Sequence, residues 1–198
     1  VVAKFTEKHG SPPGRGAVVL GMGSLGARRL NAGSDLDLIV IYDADGAEAS
    51  EGRRPLAARL YYARLTQALV TAMTAPMAEG RVYQVDMRLR PSGNQGPVAT
   101  SWKSFRAYQR DEAWVWEHLA LSRARVIIGN SALAADVESF RVDLLGQDQR
   151  RETVLQEVAD MRARISMAKA PAGTLDVKIG PGRLLDVELV SQAGAVLA

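Results

Sequence analysis

The sequence predicts an α+β fold, in which a mixed sheet with packed helices is followed by a mostly helical extension. Two short apolar runs, at 17–20 and 36–42, have the length and composition of buried strands. Beyond residue 100 the apolar residues recur instead at the spacing of helices. We therefore predict an α/β core over residues 1–100 and a helical extension, packed on that core, over residues 101–198.

The predicted core alternates helices and strands, because the periodicity of its apolar residues changes at glycine- and proline-rich breaks. The run at 36–42 is apolar on both faces, which predicts a central strand. The other elements are the end of a helix at 1–9, a glycine-rich turn at 21–26, a short helix at 25–31, a helix at 56–75, a strand at 81–90 and a loop at 91–97. Apolar and polar side chains alternate along the strand at 81–90, so we expect one of its faces to be polar.

The predicted extension contains helices and one hairpin. Its elements are helices at 101–110, 112–128 and 150–169, a β-hairpin near 175–185 and a final helix. The two hairpin strands, 175–179 and 183–185, flank the turn residues at 180–182.

Composition excludes several classes of site in this chain of 198 residues. It contains no cysteine, which excludes a disulfide framework, a thiol nucleophile, an iron–sulfur cluster and a cysteine-rich zinc site. Its two histidines, His9 and His118, cannot form the two-histidine motif of zinc proteases. A net charge of +3 is too small to indicate a surface that binds nucleic acid, so we expect no nucleic-acid partner. The chemistry that remains uses carboxylates, hydroxyls, arginines and bound ions.

The longest apolar runs are too short to cross a bilayer, so we expect no membrane association. No basic segment followed by an apolar one opens the chain, which makes a cytoplasmic location the expectation. The chain begins at Val1 rather than at methionine and ends in an apolar stretch. We interpret it as an excised piece of a longer protein.

The glycine-rich turn, Gly21–Gly26, has the GxGxxG pattern of dinucleotide-binding sites, and Asp43 lies where such a site has an acid. The spacing argues against that function. A crossover between parallel strands needs about a dozen residues, and only nine separate Gly26 from Leu36. The glycines alternatively make nothing more than a tight turn.

A phosphate site uses the same turn and explains more residues. Gly23 and Ser24 lie where a helix begins, so free backbone N–H groups there, with the Ser24 hydroxyl, are suited to hold phosphate oxygens. Ten residues further on, Asp35 and Asp37 open the next strand, and alternate residues of a strand project to the same side. Two such carboxylates repel unless a cation lies between them, and Mg²⁺ suits oxygen ligands. In the plainer alternative, the two acids form a solvated strand end or a helix cap.

Asp86 provides a third carboxylate on the polar face of the predicted strand at 81–90. It shares that face with Arg88 and Arg90. Three carboxylates can hold two Mg²⁺ ions about 4 Å apart, the arrangement used for in-line displacement at phosphorus. We expect at least one of the arginines to offset phosphate charge. An ion pair with a neighbouring acid explains the arginines equally well, and a polar face can simply be exposed to solvent.

Gly-Ser, ten residues and then Asp-Leu-Asp resembles the signature of the nucleotidyltransferase superfamily, which has the polymerase-β-like fold. Four stretches are similar to the glutamine-synthetase adenylyltransferase family. They cover most of the chain and lie at 21–43, 83–101, 108–130 and 176–192. In full-length members one half removes AMP from glutamine synthetase by phosphorolysis, and the other adds AMP from ATP to a tyrosine. The sequence at 112–125 is more similar to the C-terminal, adenylylating half.

The resemblance implies Mg²⁺-dependent transfer of AMP to glutamine synthetase, with a PII signalling protein and glutamine regulating the whole enzyme. It assigns catalysis and two Mg²⁺ ions to the three aspartates, and the β- and γ-phosphates to Gly23 and Ser24. Many members have lysine at the position of Ser24, so the contact of that lysine is not transferred. The resemblance also places Lys178, Asp186 and Glu188 near the catalytic face, although a salt-bridged hairpin explains them equally well.

Two alternative functions stay open. Phosphorolytic removal of AMP would use the same acids. A non-catalytic interaction module would have acids that no longer bind metal, and it would show no Mg²⁺-dependent ATP binding.

Overall fold

A computed structural model describes residues 1–78, 80, 83–147 and 151–198 of the chain. These residues form an α+β structure with a mixed sheet, which confirms the predicted fold class. They group into two compact units. The first comprises Val1–Glu112 with Ala124–Phe140, and the second comprises Ala113–Arg123 with Arg141–Ala198. The predicted domain boundary at residue 100 stays a prediction.

The sheet belongs to the first unit and has five strands. They are β1 (Gly16–Gly21), β2 (Leu36–Asp43), β3 (Val85–Asp86), β4 (Thr100–Ser101) and β5 (Arg125–Gly129). The order is β3-β2-β1-β5. β4 also pairs directly with β2, further along that strand than β3 does. β1 is antiparallel to β2 and β5, whereas β3 and β4 are parallel to β2. β2 is therefore central, as its apolar faces predict, and its last residues are nearly all buried.

The described residues form eight α-helices. They are α1 (Val2–His9), α2 (Gly23–Gly26), α3 (Ala58–Thr74), α4 (Trp102–Asp111), α5 (Val115–Leu121), α6 (Ser131–Leu145), α7 (Arg151–Ala168) and α8 (Leu184–Leu197). A short 3₁₀ helix, Gly93–Gln95, lies in the predicted loop. The predicted helices at 1–9, 56–75, 101–110 and 150–169 are confirmed within a few residues at their ends.

Aromatic packing joins α3 to the sheet in the first unit. The Tyr42 and Tyr62 rings stack with their centroids 4.4 Å apart, and Tyr61 packs edge-on against Tyr62. The Tyr62 hydroxyl donates a hydrogen bond of 2.5 Å to the carbonyl of Pro13. Burial raises the pKa of Tyr62, so the phenol stays a donor over the whole physiological range. The turn before β1 is thereby tied to α3.

The second unit has a small apolar core of its own. Leu119 of α5, Val154 of α7 and Ala193 and Val196 of α8 are all buried against one another. Two ion pairs cross the surface of the same unit, joining Arg123 to Glu188 and Arg162 to Asp186.

The predicted helix at 112–128 is wrong in its second half. The helix ends at Leu121, and Arg125–Gly129 forms β5, which pairs with the edge of β1. Its β-branched residues, Val126, Ile127 and Ile128, favour a strand. The hydrogen bonds that make this segment a strand come from the edge of β1 that β2 leaves unpaired. The local periodicity of the sequence cannot predict that pairing. The helix α6 that follows β5 was not predicted.

The predicted strand at 81–90 is also too long. Residues 81 and 82 lie outside the described residues, and only Val85–Asp86 pairs as a strand. The Asp86 carboxylate accepts a hydrogen bond of 2.8 Å from the Arg88 backbone N–H, which bends the chain into a turn. Arg88 and Arg90 therefore do not continue the strand face that carries Asp86.

Two further predictions are wrong. The predicted helix at 25–31 is instead the four-residue α2, because Arg28 has a left-handed φ of 58° that no helix continues through. The predicted hairpin near 175–185 has no strands among the described residues. Turns occupy 173–182, and α8 begins at Leu184. In the described part of the chain, no helix is long and apolar enough to cross a membrane.

The tie between Tyr62 and Pro13 predicts a loss of stability in Tyr62→Phe. The variant leaves the buried Pro13 carbonyl without its donor, which should cost about 1–2 kcal/mol in the free energy of unfolding. Urea denaturation measures the change. Tyr83→Phe is the control, since Tyr83 is half-buried and makes no comparable bond among the described residues, and it should cost less than about 0.5 kcal/mol. Equal losses in the two variants would contradict the prediction.

Candidate functional site

Two of the predicted site carboxylates are neighbours across the sheet. β3 pairs with the beginning of β2 in parallel, and Asp37 and Asp86 are register partners. Neighbouring strands lie about 4.8 Å apart, and paired residues project their side chains to the same side. The Leu36 N–H donates to the carbonyl of Gln84 over 2.8 Å and holds this register. Residues far apart in the sequence therefore meet at one sheet edge.

Asp35 lies close to the same sheet edge. It is exposed, and it lines an open cavity of about 440 Å³ together with Asp86, Arg88 and Arg90. Asp37 is half-buried. The three predicted aspartates thus belong to one locality of the first unit.

The glycine turn is in direct contact with Asp37. Gly23 has a φ of 51°, which favours glycine, and a Cβ at this position would lie 2.4 Å from Asp37 Oδ2. The Met22 N–H also donates to the Asp37 carbonyl over 2.9 Å. Ser24, the other predicted phosphate contact, is half-buried on the same turn. The turn and Asp37 are therefore brought together, as the spacing predicts.

Arg88 forms an ion pair with Asp86, which is one of the two alternatives that the sequence left open. Its Nε donates to Asp86 Oδ2 over 2.8 Å, and a terminal nitrogen donates to the same oxygen over 2.5 Å. These hydrogen bonds hold the pKa of Asp86 below its usual range. The bonds to Asp86 raise the pKa of Arg88, and the charges of Asp35 and Asp37 add to that effect. The guanidinium is thus a counter-charge for all three carboxylates.

Arg90 has a different environment. Its side chain is buried, and its guanidinium donates to the carbonyls of Met87 over 2.7 Å and Gly96 over 3.3 Å. These bonds close the loop that follows β3. A contact between Arg90 and phosphate stays a prediction.

The donor set is that of a site for a hard divalent cation. Asp37 and Asp86 are in register and Asp35 is close to Asp86, and carboxylate oxygens are the ligands that Mg²⁺ prefers. Among the described residues, however, no three acidic or histidine side chains converge closely enough to hold a metal ion as they stand. Both oxygens of Asp86 accept hydrogen bonds from Arg88. The residues therefore fit Mg²⁺ by chemistry and register, and the Arg88 contact competes with it.

The three candidates of the last sequence motif lie in the second unit. Asp186 pairs with Arg162, whose hydrogen bond lowers the pKa of Asp186, and Glu188 pairs with Arg123 over 2.8 Å. Lys178 is exposed. The ion pairs that the sequence left open for the two acids are present, although not within a hairpin. The approach of these residues to the catalytic face stays a prediction.

Sequence reasoning missed Asp176 in this motif. Its carboxylate accepts backbone N–H groups of Ala172, Lys178 and Ile179 at 2.8–2.9 Å, and these bonds lower its pKa to about 2. A signal was available, since aspartate side chains often accept the backbone N–H two residues further on in a turn, and the turn residues Gly180 and Pro181 follow shortly after. Arg183 donates to the carbonyls of the same loop.

Comparison with known proteins gives consistent results. A family model described as glutamate-ammonia ligase adenylyltransferase matches residues 1–140. The chain is 50% identical over 197 residues to the bifunctional glutamine synthetase adenylyltransferase/adenylyl-removing enzyme of Mesorhizobium japonicum, covering 99% of this chain and 20% of that protein. Proteins of the same description from Agrobacterium fabrum and Brucella suis are each 47% identical, over 100% and 97% of this chain and 20% of their own lengths. The chain therefore spans about a fifth of these relatives.

The contact between Gly23 and Asp37 predicts a specific effect of Gly23→Ala. A methyl group there pushes the flexible carboxylate of Asp37 aside, and the positive φ adds a cost of about 1 kcal/mol in stability. Gly46→Ala is the matched control, because Gly46 also has a positive φ but has no atom near the added methyl. Both variants should lose similar stability in urea. A shift of the Asp37 carboxyl carbon in NMR should appear in Gly23→Ala alone, and its appearance in both would contradict the prediction.

The loop bonds of Asp176 predict a pH dependence. A pKa of about 2 lies below the usual value near ~3.9, so the contribution to stability is complete above pH ~4 and is lost as the pH falls towards 2. Hydrogen exchange at the amides of Lys178 and Ile179 measures it. Asp176→Asn should expose these amides at neutral pH, whereas Asp160→Asn, on α7, should leave them protected. Unchanged protection in Asp176→Asn would show that the carboxylate does not hold the loop.

Proposed function

Since the chain belongs to the glutamate-ammonia ligase adenylyltransferase family, we propose that it transfers AMP from ATP to a tyrosine of glutamine synthetase and releases pyrophosphate. The names of the relatives support glutamine synthetase as the protein substrate. The observation that carries the proposal is the register pairing of Asp37 with Asp86 beside the turn at Gly23. That arrangement is suited to a reaction at phosphorus.

The attacking group in this reaction is a phenol. A tyrosine hydroxyl has a pKa near ~10, so it is a poor nucleophile at neutral pH until its proton is removed. Asp86 is the carboxylate that we assign to accept this proton. Its pKa is held low by Arg88, so it is ionised at neutral pH.

Asp35, Asp37 and Asp86 are the residues that would hold Mg²⁺, with two ions expected. When bound, Mg²⁺ supplies positive charge to the phosphates and to the tyrosine oxygen. The backbone N–H groups of Gly23 and Ser24 and the hydroxyl of Ser24 would hold the β- and γ-phosphates, which helps pyrophosphate to leave. Ser24 provides a neutral donor where many family members have lysine, so we expect weaker binding of ATP than that lysine would give.

We also propose regulators and a cellular location for the full-length enzyme. A PII signalling protein and glutamine are the regulators that we expect for the full-length enzyme, and a cytoplasmic location is expected as well. Lys178, Asp186 and Glu188 are proposed to serve the same site. These assignments rest on the resemblance of the sequence to the family.

Phosphorolytic removal of AMP is the second candidate function. The names of the relatives include both an adenylyltransferase and an adenylyl-removing activity, and the chain matches about a fifth of each protein. The same carboxylates would serve this reaction, with inorganic phosphate attacking the AMP–tyrosine bond to release ADP and the tyrosine. We favour the transfer direction because the sequence at 112–125 resembles the adenylylating half more than the removing half.

A transfer assay with labelled ATP tests the proposal. Unmodified glutamine synthetase is incubated with Mg²⁺ and the chain, and label should appear on the synthetase. Asp86→Asn removes the proton acceptor and should reduce the rate about 10²–10⁴-fold. Asp45→Asn, an exposed substitution outside the site, should leave the rate unchanged.

The reverse assay separates the alternatives. Adenylylated synthetase is incubated with inorganic phosphate, and release of ADP without any forward transfer would assign the removing activity instead. Failure of both reactions, together with no Mg²⁺-dependent ATP binding, would support the non-catalytic module. Forward transfer that survives Asp86→Asn unchanged would overturn the role of Asp86.

A further inference from the structure

Arg88 is the cation of the carboxylate cluster. It contacts Asp86 through its Nε and a terminal nitrogen, and it is close enough to Asp35 and Asp37 for their charges to stabilise its protonated form. The nearby Arg90 cannot take its place, because the Arg90 guanidinium is bound to carbonyls of its own loop.

The local backbone directs Arg88 to this position. The Asp86 carboxylate accepts the Arg88 backbone N–H in the turn after β3, which folds the arginine back onto the aspartate two residues before it. The backbone hydrogen bond keeps Arg88 at the site even when its guanidinium leaves. The side chain can therefore exchange partners without a change in the fold.

The ion pair is built so that it can open. The Arg88 side chain is 72% exposed, whereas that of Asp86 is 16% exposed. An exposed guanidinium regains hydrogen bonds to water when it leaves its partner, which lowers the cost of opening on the Arg88 side. The guanidinium can thus leave once a metal ion replaces it as the cation, while the carboxylates themselves stay in place in the sheet.

We propose that Arg88 is a resident counter-ion that a divalent cation displaces from Asp86, and that the released guanidinium then contacts the phosphates of the nucleotide. The inference rests on the proposed function, which puts the metal and the nucleotide at these carboxylates. Arg88 already occupies both oxygens of Asp86, and its positive charge repels a metal ion, so the guanidinium and the metal compete for this carboxylate. A guanidinium next to a phosphate forms strong charge-assisted hydrogen bonds. Arg88 is therefore a positioning residue that couples metal binding to nucleotide binding.

Competition and coupling have opposite consequences for Arg88→Met. Removal of the guanidinium frees Asp86 and removes a positive charge from the metal site, so the affinity for a metal ion alone should rise about three- to tenfold. Loss of the phosphate contact should lower the affinity for a nucleotide, measured with metal present, by about tenfold. A residue with a merely structural role would lower both affinities.

The experiment uses Mn²⁺ as the probe and follows its binding by electron paramagnetic resonance. The wild-type chain is compared with Arg88→Met, with Arg88→Lys and with the control Arg64→Met, which removes an exposed charge from α3. Binding of α,β-methylene-ATP is then measured by calorimetry at saturating Mn²⁺. The lysine variant keeps the charge but loses the two-point contact, so its Mn²⁺ affinity should lie between those of wild type and Arg88→Met.

The outcomes separate this inference from the proposed function. Tighter Mn²⁺ binding with weaker nucleotide binding in Arg88→Met, absent from Arg64→Met, supports the inference. Binding of Mn²⁺ by the wild type with no gain in Arg88→Met overturns the inference and leaves the metal site standing. No Mn²⁺ binding in either protein overturns both. A gain of the same size in Arg64→Met shows a general charge effect and overturns the inference.

Discussion

Two carboxylates held in register on neighbouring parallel strands impose the main physical constraint on this structure. Asp37 and Asp86 are brought together by the pairing of β2 with β3, which is fixed by backbone hydrogen bonds. Like charges so close raise the energy of the fold unless a cation lies among them. Arg88 supplies that cation here, because the turn after Asp86 folds its guanidinium back onto the Asp86 carboxylate. A cation is thus a requirement of the site in every state.

The glycine turn extends the same constraint to phosphate. Gly23 approaches Asp37 so closely that any side chain at this position would displace the carboxylate. The backbone that is suited to hold phosphate is therefore in contact with a carboxylate suited to hold a cation. Phosphate and a divalent cation attract each other, so adjacent sites for the two favour joint occupation. This proximity gives a physical reason why a nucleotidyltransferase pattern combines Gly-Ser with Asp-Leu-Asp.

The predictions from the sequence succeeded where one element carries its own periodicity. β2 is apolar on both faces and proved central, and α3, α4 and α7 follow their helical spacing. They failed where a partner decides the structure. The run Val126–Ile128 continues a helical pattern, yet an unpaired edge of β1 draws it into the sheet. Asp86 and Asp176 both bend their chains by accepting backbone N–H groups, which ends a predicted strand in one case and replaces a predicted hairpin in the other.

The sequence by itself determined the chemistry of the candidate site. Its composition excluded thiols and left carboxylates, and the spacing of Gly23, Asp35 and Asp37 placed a flexible turn next to acids on one strand. Only the tertiary structure decided which distant residue joins them and what each arginine does. Asp86 meets Asp37 through a strand register, and Arg88 turns towards the acids while Arg90 turns into its loop. The physical reason is that register and hydrogen-bond competition depend on partners far along the chain, whereas side-chain chemistry and helical or strand periodicity are local.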